Sequence, residues 1–220
     1  MSASAYVARL TTTDATVLAS VRHSAVVRIT HWINAVAFCG LLVSGIAILL
    51  AHPRLYWGET GGVGSPSLLD LPLPFLLGGQ SGWGRSLHFL SAWVCIVNGL
   101  LYVVHGLLVG HFREHLVPAK TATQTYNVLQ QLTYLTVVFV LFPLMIWTGL
   151  AMSPAMTSVF PTLVDVVGGQ QSARTVHFFA TNVLVVFLVV HIAMVSMAGF
   201  ANHVRAMLTG RHAARREPPC

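Results

Sequence analysis

Eleven histidines are spread through 220 residues, and five fall within or at the ends of otherwise apolar stretches: His31, His88, His105, His177 and His191. An imidazole in such surroundings is costly unless it has a task, and neutral imidazole is the commonest side-chain ligand for metals. A single residue of this kind is satisfied by one hydrogen bond, but five need a common reason. His177 and His191 are 14 residues apart. At about 100° per residue, that spacing returns to within about 40° of the starting face, and the rise places the two roughly 21 Å apart. Two ligands on one helix face, one near each surface of a bilayer, suit two hemes stacked across it. Each heme then needs a second histidine at matching depth from another helix. His88 is level with His177 on the outer side, and His31 is level with His191 on the inner side. Depth alone gives the pairs His88–His177 and His31–His191, with iron as the metal.

His105 is the rival to His31 as partner of His191. It lies 17 residues after His88, which leaves the two about 100° apart around a helix; an interhelical hydrogen bond is the alternative role. An arginine three residues earlier marks three of the four favoured ligands: Arg28 before His31, Arg85 before His88 and Arg174 before His177. That spacing puts each guanidinium on its ligand's face, one turn nearer water. Heme propionates point the same way, and arginine binds carboxylates through paired hydrogen bonds. Arginines also flank membrane spans as anchors. Tyr102 holds the corresponding place before His105. Gly45 lies 14 residues after His31, so it should face the outer heme and leave room for a porphyrin edge. Glycine at a plain helix contact is the other reading.

Other chemistry is thinly represented. His111 and His115 form one i, i+4 pair in a charged loop, whereas a membrane di-iron enzyme needs several such boxes. His23, His52, His203 and His212 lie outside the apolar stretches. Met145, Met152, Met194 and Met197 read as packing, although a thioether can ligate heme. No Cys-x-x-Cys-His run exists, which excludes covalent c-type attachment. No phosphate loop, Ser/His/Asp set or carboxylate pair is present, so no catalytic residue is assigned.

These ligands need long helices. Only 8% of residues are charged and 55% are apolar, with a mean hydropathy of +0.72, against about 25% charged in soluble domains. Spans are expected at about 26–51, 85–110, 126–153 and 173–201, with Pro143 kinking the third. This is an all-α fold, a four-transmembrane-helix bundle enclosing two hemes. Residues 1–20 form a flexible cytoplasmic N-terminus, 21–208 the bundle and 209–220 a basic tail; no cleavable signal peptide is expected. Nine basic residues fall on the side of the termini and three on the other, so both termini should be cytoplasmic. The same pattern explains the +6 net charge without nucleic acid. The outer loop 52–84, rich in Gly and Pro, reads as a partner-docking surface or as a disordered connector.

The stretches Arg28-Ile29-Thr30-His31-Trp32-Ile33-Asn34, Arg85-Ser86-Leu87-His88 and Gln171-Ser172-Ala173-Arg174-Thr175-Val176-His177 resemble the bacterial diheme cytochrome b subunits of nickel-iron hydrogenases, formate dehydrogenases and thiosulfate reductases. The resemblance covers about residues 20–208. It implies ligation of two b hemes by His31, His88, His177 and His191, a quinone site near one heme, and a periplasmic redox enzyme as partner. Segments Gly110-His111-Phe112 and Gly149–Pro154 look closest to members that sit beside molybdopterin oxidoreductases; a cytochrome c is the other partner considered. Family members serving hydrogenases often have a fifth helix, and four are visible here. The expected protein is a multi-pass subunit of the bacterial inner membrane, carrying electrons between a periplasmic enzyme and quinone. The resemblance puts quinone near the inner heme, with His111, Arg113 and His203 as polar neighbours; an outer-side quinone site is the alternative. The rival readings are a self-contained superoxide:quinone oxidoreductase and a histidine-lined transporter.

Overall fold

The computed structural model describes residues 24–62, 64–72, 81–109, 132–133 and 135–210. The N-terminal segment 1–20, residues 73–80 of the outer loop, residues 126–131, the loop residues His111, Arg113 and His115, and the tail from 211 lie outside the described residues.

Helix α1 (Ala25–Ala51) opens at Ser24, whose hydroxyl accepts the Val27 N–H at 3.3 Å. This is the usual remedy for the unpaired amides of a first turn. It closes just before Pro53, which cannot continue the hydrogen-bond ladder. Helix α2 is Ser81–Leu108, and α6 is Gln170–Met197. These three are long and apolar enough to cross a membrane; 27 residues give about 40 Å of helix against a hydrocarbon core of about 30 Å. Large apolar side chains stand open along them, Val36 at 73% and Leu108 at 81% exposure. Water would penalise such a surface, whereas lipid covers it.

Between α2 and α6 the described chain is shorter-stepped. Pro143 lacks an amide proton and crowds the carbonyl one turn back. The backbone answers with a π-helical stretch, Val137–Leu141, directly before α3 (Phe142–Ala151), which carries Pro143 in its first turn. Two single-turn helices follow, α4 (Pro154–Thr157) and α5 (Thr162–Asp165). After α6, Gly199 adopts φ +103° and turns the chain into α7 (Phe200–Thr209).

The described chain divides into two compact units, the first combining the residues up to Ile33 with those from Val189 on, the second spanning Asn34–Leu188. In the first, α7 is capped at its C-terminal end from α1. Arg28 Nη1 donates to the Leu208 carbonyl at 2.9 Å and Trp32 Nε1 to that of Met207 at 3.2 Å. Both donors occupy carbonyls that a helix end leaves unpaired.

In the second unit α1 and α2 approach closely through small residues. Gly40 faces Ser91, and Gly84 lies against Ala47 and the Ser44 carbonyl. Asn98 Nδ2 donates to Asn34 Oδ1 at 2.8 Å, which satisfies two amides away from water. Ala151, Val164 and Ala173 form a buried cluster joining α3, α5 and α6. The outer loop is folded where it is described. Strands β1 (Arg54–Leu55) and β2 (Leu69–Asp70) pair antiparallel, with an Arg54–Asp70 ion pair of 3.0 Å at their exposed edge. Gly58 then sits on the start of α6: its carbonyl accepts from the Gln171 and Ser172 amides at 3.0 and 3.3 Å, and its amide donates to Ser172 Oγ at 2.8 Å. Thr175 Oγ1 reaches the Tyr56 carbonyl at 2.6 Å.

Candidate functional site

Helix α6 carries His177 and His191, and each meets one histidine from another helix. In the second unit His88, on α2, stands with its ring centre 6.1 Å from that of His177, the planes inclined at 59°. In the first unit His31, on α1, lies 6.4 Å from His191, inclined at 48°. Trp32 meets the His31 ring edge-on at 5.4 Å. Both pairs are the ones that depth matching selects from the sequence. His105, on α2, belongs to neither.

The spacing bears on what the pairs can hold. A metal–imidazole bond is about 2 Å and a ring centre lies about 1 Å behind its nitrogen, so two rings on opposite sides of one metal are centred about 6 Å apart. Both pairs have that separation. Among the described residues no three His, Cys, Asp or Glu side chains gather in one place. Each pair would therefore supply two imidazole ligands to a metal whose remaining ligands come from a macrocycle.

Two hydroxyls hold the rings of the second unit. Ser44, on α1, donates its proton to the Gly40 carbonyl at 2.6 Å, and its oxygen lies 2.9 Å from His88 Nδ1. Thr148, on α3, donates to the Leu144 carbonyl at 2.7 Å, and its oxygen lies 2.9 Å from His177 Nδ1. Each hydroxyl has a carbonyl to donate to, and the Leu41 and Met145 carbonyls also accept from the His88 and His177 rings; an Nδ1–H tautomer satisfies all of these acceptors and would leave Nε2 as the ligating nitrogen. Both hydroxyl residues are fully buried. A glycine follows each one: a Cβ at Gly45 would touch His88 Cε1 at 3.8 Å, and one at Gly149 would touch His177 Cε1 at 3.7 Å.

Sequence reasoning reached Gly45 but missed Ser44, Thr148 and Gly149. A signal was present, because Ser44-Gly45-Ile46-Ala47 and Thr148-Gly149-Leu150-Ala151 are variants of one tetrapeptide. The ligand segments repeat in the same way: Arg85-Ser86-Leu87-His88-Phe89 matches Arg174-Thr175-Val176-His177-Phe178.

The three arginines differ in surroundings. Arg28 is bound to the end of α7, yet its buried Nε has no partner among the described residues. That donor fits a carboxylate the polypeptide does not supply. Arg174 donates to the His52 carbonyl and lines a cavity of about 1010 Å³ with His52, Arg54, Tyr56 and Gln171. Burial lowers the pKa of His52 below 6.5, and the charges of Arg174 and Arg85 lower it further. The charges of two of the expected propionate partners thus act on one histidine just past the end of α1. His203, on α7, has its Nδ1 3.0 Å from the Gly199 carbonyl.

A family described as prokaryotic cytochrome b561 matches residues 22–210. The chain belongs to the prokaryotic cytochrome b561 family. Among curated relatives, the "Putative protein-methionine-sulfoxide reductase subunit YedZ1" of Azospira oryzae is 29% identical over 198 residues, covering 80% of this chain and 90% of that protein. No solved structure matches. Membership makes this a multi-pass membrane electron-transfer protein of the b561 type, binding b-type heme. A b heme supplies a reversible one-electron couple, while the chain supplies ligands, orientation and the surrounding field.

Proposed function

We propose that this chain is a diheme cytochrome b subunit carrying electrons between a periplasmic oxidoreductase and membrane quinone. The observation behind it is the pair of histidine couples at 6.1 and 6.4 Å, each spaced for one iron. His88 and His177 ligate one heme, and His31 and His191 the other. Arg28, Arg85 and Arg174 bind propionates, and Gly45 gives the first heme room. The bundle has four spans with both termini cytoplasmic, in the bacterial inner membrane. The partner is a molybdopterin oxidoreductase, a choice favoured by the name of the Azospira relative, a sulfoxide reductase subunit. It docks on the folded outer loop beside Arg174. Quinone binds near the His31–His191 heme, with His203 as a polar neighbour.

Heme stoichiometry tests the ligand assignment. His88→Ala, His177→Ala and their double variant should each lose the same single heme. His31→Ala, His191→Ala and their double should each lose the other. Retention of two low-spin hemes by His31→Ala would refute the first-span assignment.

A further inference from the structure

The two hydroxyls do more than fill space in a helix. A buried serine or threonine in a membrane helix satisfies itself by donating to the carbonyl one turn back, and Ser44 and Thr148 both do so. Each oxygen nevertheless approaches a histidine Nδ1 at 2.9 Å, on different helices and against different rings. Internal repetition of the hydroxyl-Gly tetrapeptide makes a chance contact a poor account of both.

We propose that Ser44 and Thr148 are positioning residues that hold His88 and His177 as neutral Nδ1–H imidazoles, aim Nε2 of each at one heme iron and set that heme's potential. This rests on the ligand reading above. The chemistry follows from the acceptor. A carboxylate facing Nδ1 draws the ring toward imidazolate character, enriches the ligating nitrogen and stabilises ferric iron. A hydroxyl is a weaker acceptor, and here its own proton is already spent. It fixes the tautomer while giving the ring only modest extra basicity. Removing the hydroxyl takes away its share of that donation and leaves only the Leu41 or Met145 carbonyl, which favours ferrous iron and raises the potential.

The test uses the full chain purified with its hemes: Ser44→Ala, Thr148→Val and the double variant, with Ser44→Thr and Thr148→Ser as hydroxyl-retaining counterparts. Heme content, potentiometric titration at the alpha band and electron paramagnetic resonance are read for each. The methyl variants should keep two hemes, and one of these should become about tenfold easier to reduce, about 59 mV for one electron. The other heme should not move, and the counterparts should titrate as the parent does. Loss of one heme in the methyl variants, with retention in the counterparts, also supports the assignment. Unchanged potentials in the double variant, or counterparts as disturbed as the methyl forms, overturn it. If His88→Ala and His177→Ala leave both hemes bound, the ligand reading falls and takes this inference with it. If they lose one heme while the hydroxyl variants shift nothing, the inference falls alone.

Discussion

Replacing Gly169 with alanine should lift the outer loop from the helix that bears His177. Gly169 has φ +113°, and a Cβ there would meet the carbonyl carbon and oxygen of Gly58. Backbone strain at positive φ costs about 1–2 kcal/mol. The collision also displaces the Gly58 carbonyl from the Gln171 and Ser172 amides, now at 3.0 and 3.3 Å. Two such bonds contribute about 1 kcal/mol each, so local docking should weaken by about 3–4 kcal/mol. At about 1.4 kcal/mol per factor of ten, opening becomes about 100 to 1,000 times more frequent. Amide hydrogen exchange in nanodiscs reads this directly at Gln171 and Ser172. Gly62→Ala is the control, since nothing lies within 4 Å of a Cβ there. Unchanged protection of the two amides in Gly169→Ala, with α6 intact, would refute the account of how the loop is held.

Two further outcomes are expected. Under the diheme reading, His105→Tyr should retain both hemes, because His105 stands in neither close histidine pair; loss of one, at normal protein levels, would hand it a ligand's role. His52 should make the loop acid-sensitive. Its folded-state pKa lies below 6.5 through burial first and the two arginines second, so the unfolded loop binds the extra proton as pH falls. The contribution is complete above pH 6.5 and is lost on acidification below it. Proteolytic susceptibility of the loop should therefore rise below that pH and should rise less in His52→Gln; an identical rise would exclude His52 as the cause.

The histidine pairs were readable because helical periodicity and membrane depth are both linear in sequence. The hydroxyls were not, since a serine in a membrane helix has a sufficient local partner in the carbonyl one turn back. Only the fold brings His88 to Ser44 and His177 to Thr148. Helix ends show a related limit. Hydropathy marks where lipid begins, whereas hydrogen bonding marks where a helix begins. Helix α2 is accordingly already helical at Ser81, ahead of Arg85. Helix α6 stops at Met197 within a run of small and apolar residues, because Gly199 turns left-handed there. Pro143 announced an irregularity, and its form, a π-helical stretch, depended on how the backbone recovered its bonds.

The hydroxyl contacts also bear on biogenesis. Ser44 ties α1 to His88 on α2, and Thr148 ties α3 to His177 on α6. Each link joins helices from the same half of the chain, so each half can orient its ring as soon as it has entered the membrane. Under the ligand reading, a heme iron held by both rings would add one more tie between the halves. Arg28, Trp32, Gly58 and Thr175 already tie the two halves through the polypeptide, so under the ligand reading a heme-free chain should keep its helices associated and present two oriented rings for cofactor capture.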